Sequence, residues 1–284
     1  MRLVAFRSNG RPALGLRLGD EIVNLTDEGL PATLDEVLRA SPTGMEHVKR
    51  AGERARKRLP ISKIEWLAPV QAPSKAIAVG LNYVDHAAEG NFEPPTYPVL
   101  FHRFASSWVG HRQPLVRPRV STQFDYEGEL VVVIGKAGRY ISEADALSHV
   151  AGYSLFNDGS IRDYQMKSTQ WMMGKNFDDS GAFGPEFVTA DELPPGARGL
   201  RLQTRLNGQV LQDANTRDMI FDVAKLVSVC SEPFALQPGD IIISGTPAGV
   251  GFARKPPIFM KAGDVCDVEV EGLGVLSNPV VDDA

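Results

Sequence analysis

Apolar residues along this chain fall into short runs bounded by glycine, proline and polar turns, a pattern richer in strands than in helices. The clearest run, Val131-Val132-Val133-Ile134, stops at Gly135 and reads as a buried strand. Residues 76–80, 150–156 and 241–244 read the same way. Residues 200–206 alternate, as a strand with one wet face does, and Asn207-Gly208 supplies a hairpin turn. Residues 3–6, 13–16 and 21–25 form short strands joined by turns at Asn9-Gly10 and Gly19-Asp20.

Helical spacing is confined to a few places. Residues 33–58 read as helical, with Thr33 as N-cap, Asp35 and Glu36 in the first turn, and a break at Ser41-Pro42. Further helices begin at Ser142, with Glu143 and Asp145 in the first turn, and cover roughly 219–229. Pro60, Pro69 and Pro73 punctuate a connection, which places a boundary between a small unit over 1–66 and a main body over 67–284. Residues 94–120 are rich in proline and aromatic side chains, so much of that stretch is expected to be irregular and to wall a binding cleft.

Composition narrows the class. The chain has 284 residues, 43% apolar and 23% charged, ordinary values for a globular protein. A net charge of -5 argues against a nucleic-acid partner. The most basic piece, residues 49–59, carries Ala and Glu at helical spacing and reads as a solvated helix face. No apolar run reaches the roughly eighteen residues that a membrane span needs, and the first residues lack the apolar core of a signal peptide, so a cytoplasmic protein with no membrane partner is expected. Cys230 and Cys266 are far apart, without neighbours at ligand spacing, and read as small buried apolar residues.

Candidate chemistry centres on the residues that lead into the first strand. Asp125, Glu127 and Glu129 stand at i, i+2 and i+4, so one extended strand would project all three from one face. Carboxylates gathered in a partly buried place raise one another's pKa unless a cation neutralises them, and a hard divalent metal is the usual one; the alternative is a solvated edge-strand face. His86 and Glu89 lie three apart, which a helical turn brings onto one face. A carboxylate held against imidazole makes a general base, while an exposed pair of the same spacing is also common. Asp158 sits where a strand gives way to a turn, and Lys175 is a lone charge near Trp171. Residues 244–251 are glycine-rich but lack phosphate-loop spacing, and Pro247 removes an N–H, so they read as a tight turn approaching a ligand.

Taken in order, these pieces resemble the fumarylacetoacetate hydrolase family. The likeness runs through GLNYVDHAAE at 80–89, PVLFHRFASS at 98–107, DYEGELVVVIGK at 125–136, AGYSLFNDGSIRDYQ at 151–165, GKNFD at 174–178, PGDIIISGTPAGVG at 238–251 and a tail motif at 261–280. It implies an α+β, β-rich fold: a catalytic domain of mixed β-roll and β-sandwich type behind a small N-terminal α/β domain. It implies Glu127, Glu129 and Asp158 as ligands of magnesium, with manganese or calcium as substitutes, and leaves Asp125 outside the pair. His86 and Glu89 match the water-activating dyad, often on a segment that orders as a lid, and Lys175 matches the lysine near the metal. Arg162, Gln165 and Thr246 would line the substrate site. Where the family often carries lysine, this chain has Arg103, with His102 and His111 on either side, which suggests a two-pronged contact to an acidic substrate. The implied activity is hydrolysis of a carbon–carbon bond in an acylpyruvate or other diketo acid; the alternatives are decarboxylation, tautomerisation or dehydration of a keto acid at the same metal. A homodimer acting on a small keto acid is expected.

Overall fold

A computed structural model describes residues 1–40, 43–89 and 93–284. Its main feature is a sheet of twelve strands. The longest path through it runs Leu59–Pro60, Glu21–Asn24, Arg11–Leu18, Arg2–Ser8, Gly181–Thr189, Val150–Asn157, Gly128–Ile134, Ile241–Ile243, Ala76–Gly80 and Val99–His102. A second sheet of five strands orders Gln209–Asn215, Arg201–Leu206, Val265–Val270, Gly274–Asp282 and Leu115–Arg117. The expected β-rich α+β class holds.

Gly128–Ile134 explains its own apolar run. Alternation sends Leu130, Val132 and Ile134 into a core shared with Leu202, Val268, Val270 and Leu276 of the second sheet. Val131 and Val133 enter a separate core on the opposite side, with Phe156, Phe183, Phe187, Ile241 and Ile243. Being covered on both faces, the strand has no polar side to show. Gly128 permits the close approach of the two sheets, because a Cβ there would stand 2.1 Å from Thr204 Oγ1.

The boundary expected near residue 66 is crossed by this sheet. Leu3 pairs with Phe187, Arg2 with Val188, and buried Glu186 meets Arg17 across the junction. The helices Leu34–Arg39 and Thr43–Arg54 place Leu34, Val37, Leu38, Val48 and Ala51 in the same core as Val131 and Val133, so the N-terminal residues share the main body's interior. Thr33 caps the first helix; the expected break at Ser41-Pro42 lies outside the described residues, and the second helix stops at Arg54 rather than 58. The later helix runs Val223–Cys230, capped by Asp222, and Ser142 caps Glu143–Ala146 as its spacing predicts. Both cysteines are buried. Among the described residues no helix is long and apolar enough to cross a membrane.

His111 links the layers. Its Nδ1 accepts the Ser277 N–H at 3.0 Å, and its ring meets Trp66 edge-on at 4.8 Å. A ring nitrogen that accepts is unprotonated, and burial, with Arg112 adding to it, pushes the imidazole down to about 4. The unfolded chain protonates this group near its ordinary value of 6.5, so stability is lost as pH falls from there toward 4, by up to about 3 kcal/mol. His111→Asn, which can still accept from Ser277 without titrating, should give a Tm that declines less steeply than the parent's between pH 6.5 and 4.5. Parallel Tm curves would remove His111 as the source.

Candidate metal centre and active site

The acidic run is not one strand. Phe124–Asp125 pairs with Ser160–Ile161 in a separate two-stranded ribbon, the chain turns at Tyr126 and Glu127, and the central strand begins at Gly128. The i, i+2, i+4 face predicted for Asp125, Glu127 and Glu129 therefore breaks at its first member. Glu127 and Glu129 instead meet Asp158 from the end of the neighbouring strand. The three residues are buried, each offering one oxygen within 4.8 Å of the others. Two bonds hold the strand ends in place: the Glu127 N–H donates to Asn157 Oδ1 at 3.0 Å, and the Asp158 N–H to the Glu127 carbonyl at 2.8 Å.

Cations crowd this cluster unevenly. Lys175 Nζ lies 2.6 Å from both Glu127 Oε2 and Asp158 Oδ2. Arg162 Nη2 lies 2.7 Å from Glu127 Oε1 and from Asp125 Oδ2, and Arg103 Nη1 lies 2.5 Å from Asp158 Oδ1. Burial pushes the Glu127 carboxyl up, but Lys175 and Arg162 outweigh it and hold the group near about 2. Glu129 has only the Gly245 N–H at 2.5 Å; burial, then Asp158 and Glu127, push its carboxyl well above the usual range. Four buried carboxylates, Asp125, Glu127, Glu129 and Asp158, thus face three buried cations, Arg103, Arg162 and Lys175. Glu129 is the carboxyl of the four that no side-chain cation pairs among the described residues, so a cation there would favour its ionised form, and an all-carboxylate donor set suits a hard divalent ion such as magnesium, manganese or calcium.

One glycine-rich loop serves three of the surrounding carboxylates. The Gly245 N–H reaches Glu129, the Gly249 N–H reaches both oxygens of Glu89 at 3.1 and 3.0 Å, and the Gly251 N–H reaches Asp125 at 2.8 Å. Gly249 has φ +103°, and a Cβ there would stand 2.2 Å from the Leu211 carbonyl. Thr246 Oγ1 donates to the Gly128 carbonyl and accepts from Gln212 Nε2, fixing the loop to the strand that carries Glu129. The turn approaches carboxylates of its own chain.

His86 and Glu89 lie on the helix Val84–Glu89, with Nδ1 to Oε2 at 3.7 Å, longer than a hydrogen bond. Burial opposes ionisation of Glu89, but His86 and the Gly249 N–H hold its carboxyl below the ordinary value. Of the segment expected as a lid, Gly90 lies outside the described residues.

A cavity of about 120 Å³ joins these parts. His86, Glu127, Glu129, Arg162, Gln165, Lys175 and Thr246 line it, opposite an apolar wall that includes Phe101 and Trp171. Trp171 packs edge-on to Phe101 at 5.7 Å and needs Gly80, where a Cβ would stand 2.2 Å from its ring. Arg103 does not line the cavity. Its side chain is wholly enclosed and meets Asp158, the carbonyls of Gly159 and Ser107, and Ser107 Oγ, so the carboxylate it grips belongs to the protein, not to an acidic substrate. His111 is packed against Trp66 and Ser277, and His102 is exposed. Phe101 puts the aromatic stretch 94–120 in the cavity wall as its composition suggests, whereas the brace from Gln212 and the carboxylate contacts of Gly249 and Gly251 carried no signal in the sequence beyond the glycines themselves.

The charge deficit makes a testable claim about Glu129. Glu129→Gln should raise the Tm of the metal-free protein by a few degrees, the effect of removing about 1–2 kcal/mol of the cost of burying an ionisable carboxyl without a cation partner. It should also abolish the Tm rise that magnesium or manganese gives the parent. A lower metal-free Tm would refute the deficit.

Residues 75–281 match the family model for the fumarylacetoacetate (FAA) hydrolase C-terminal region. Over 289 aligned residues the chain is 43% identical to the oxaloacetate tautomerase fahd2, mitochondrial, of Xenopus laevis, covering 99% of this chain and 90% of that one. Among solved structures, the fumarylacetoacetate hydrolase of psychrophilic Exiguobacterium antarcticum aligns with a TM-score of 0.87 at 35% identity, over 100% of both chains. The maleylpyruvate hydrolase of Sphingobium sp. SYK-6, in complex with manganese(II) ion and pyruvate, aligns at 0.84 with 28% identity, again over 100% of both. With a model match over most of its length and such a relative across nearly all of it, the chain belongs to the fumarylacetoacetate hydrolase family.

Proposed function

We propose that the protein is a divalent-metal-dependent tautomerase that interconverts the enol and keto forms of a small 2-oxo acid of the oxaloacetate type. The observation that carries the reading is a cavity lined by the His86 imidazole and by Glu127 and Glu129, two members of the buried carboxylate triad. The identity to an oxaloacetate tautomerase supports this choice of reaction. A cation held by Glu127, Glu129 and Asp158 would supply a Lewis acid for the substrate's 2-oxo oxygen.

The chain's own groups do the rest. His86 takes a proton from the carbon next to the carbonyl and returns one at the oxygen, the transfer that separates keto from enol. Glu89, 3.7 Å away, balances the positive charge the ring then carries. Gln165 Oε1 accepts from Arg162 Nη1 at 2.8 Å, which turns the Gln165 amide N–H groups toward other acceptors, such as a substrate oxygen. Lys175 and Arg162 are already paired with Glu127, so they shape the ligand set more than they bind substrate. Phe101 and Trp171 give the reacting carbon an apolar wall to lie against.

A second reading, hydrolysis of acylpyruvate-type diketo acids, is favoured by the His86 imidazole with Glu89 3.7 Å from it, which could equally deprotonate water, and by the likeness to a maleylpyruvate hydrolase. Products separate the two. With magnesium, the protein should speed the loss of enol oxaloacetate absorbance without forming pyruvate, and a chelator should abolish the effect. His86→Asn should lower that rate about 10²-fold or more. Release of pyruvate from acylpyruvates, with no effect on oxaloacetate, would establish the hydrolase instead.

A further inference from the structure

Asp125 is wholly buried, it does not line the cavity, and neither the metal site nor the proton transfer uses it. It nevertheless makes more contacts with the site's supports than any of the ligands does. Oδ1 accepts the N–H of Gly251 at 2.8 Å and of Tyr126 at 2.9 Å; Oδ2 accepts the N–H of Phe252 at 2.9 Å and Arg162 Nε at 2.8 Å. Arg162 Nη2 lies 2.7 Å from Asp125 on one side and 2.7 Å from Glu127 on the other.

We infer that Asp125 is a positioning residue that keeps Glu127 available to a cation and couples the metal centre to the segment bearing His86 and Glu89. Two lines of contact carry this. In the first, the charge of Asp125 neutralises Arg162. Remove it, and the guanidinium is left with Glu127 as its one carboxylate partner, so it competes with the metal for that ligand. In the second, Asp125 grips the loop at Gly251 and Phe252, two and three residues beyond the Gly249 N–H that holds both oxygens of Glu89. Gly251 is required for that grip: a Cβ would stand 1.8 Å from the Ile258 carbonyl and 2.6 Å from Asp125 Oδ1. Engagement of Glu127 by a cation therefore shifts the Arg162 contact toward Asp125 and tightens the loop whose Gly249 N–H holds Glu89.

The inference rests on the metal reading above. Manganese affinity measured by calorimetry tests the two separately. The parent should bind; Asp125→Asn, nearly isosteric, should bind about 10–100-fold more weakly. Arg162→Gln in the Asp125→Asn background should recover much of that loss, since it removes the competing charge, whereas a residue that only stabilises the fold would show no such recovery. In the parent, which needs no variant to fold, magnesium should slow amide hydrogen exchange across residues 249–252. A parent that binds no manganese would overturn both readings. Parent-like affinity in folded Asp125→Asn, or exchange over 249–252 indifferent to magnesium, would overturn this one alone.

Discussion

The site depends on burying four carboxylates behind three cations. Each cation is placed so that it cannot neutralise the whole cluster: Arg103 is locked to Asp158 from behind, Arg162 is shared between Asp125 and Glu127, and Lys175 bridges Glu127 and Asp158. Glu129 is left with a single backbone N–H. Isolated, such a charge would be expensive, since desolvation of an unpaired carboxylate costs several kcal/mol. A divalent ion held by Glu127, Glu129 and Asp158 would offset that cost.

That arrangement needs rigid ends on several strands at once. The central strand supplies Glu129 at its beginning, its neighbour supplies Asp158 just past its end, and the loop after Ile241–Ile243 supplies the amide that meets Glu129. All three strands are adjacent in the large sheet, and apolar side chains fill both of its faces, so small shifts at the rim would have to be transmitted through a packed interior. The N-terminal strands extend the same sheet. Their contribution to the site is therefore indirect, through the core they share with Val131 and Val133.

Much of this was legible in the chain, for identifiable reasons. Continuous apolar runs betray strands covered on both sides, and caps at Thr33 and Ser142 depend on local spacing alone. Period-two spacing placed Glu127 and Glu129 together but wrongly added Asp125, because a turn of two residues between ribbon and sheet leaves no mark in a pattern of alternating charge. Arg103 misled for a related reason: a buried arginine shows its chemistry in the sequence but not which carboxylate it faces, and here Asp158 lies 55 positions away. Prolines near residue 66 suggested a boundary, yet hydrogen bonds between Arg2–Ser8 and Gly181–Thr189 are long-range pairings that punctuation cannot reveal. The glycines at 249 and 251 were visible as a turn. Their purpose, close approach of backbone N–H groups to carboxylates, needed the partners to be in place.

The same frame explains why family membership leaves the reaction open. A metal that polarises a 2-oxo acid and an imidazole held by a carboxylate are needed whether a proton leaves carbon or water attacks a carbonyl. What separates these outcomes is the species next to His86, and that is governed by the wall opposite it. Phe101 and Trp171 meet edge-on at the lysine end of the cavity, with Lys175 Nζ 5.2 Å from the Phe101 ring, so an apolar wall stands beside the carboxylates. An apolar wall lowers the supply of the nucleophile that hydrolysis consumes, while leaving proton shuttling between carbon and oxygen untouched. The two chemistries share one charge arrangement and differ in what reaches His86.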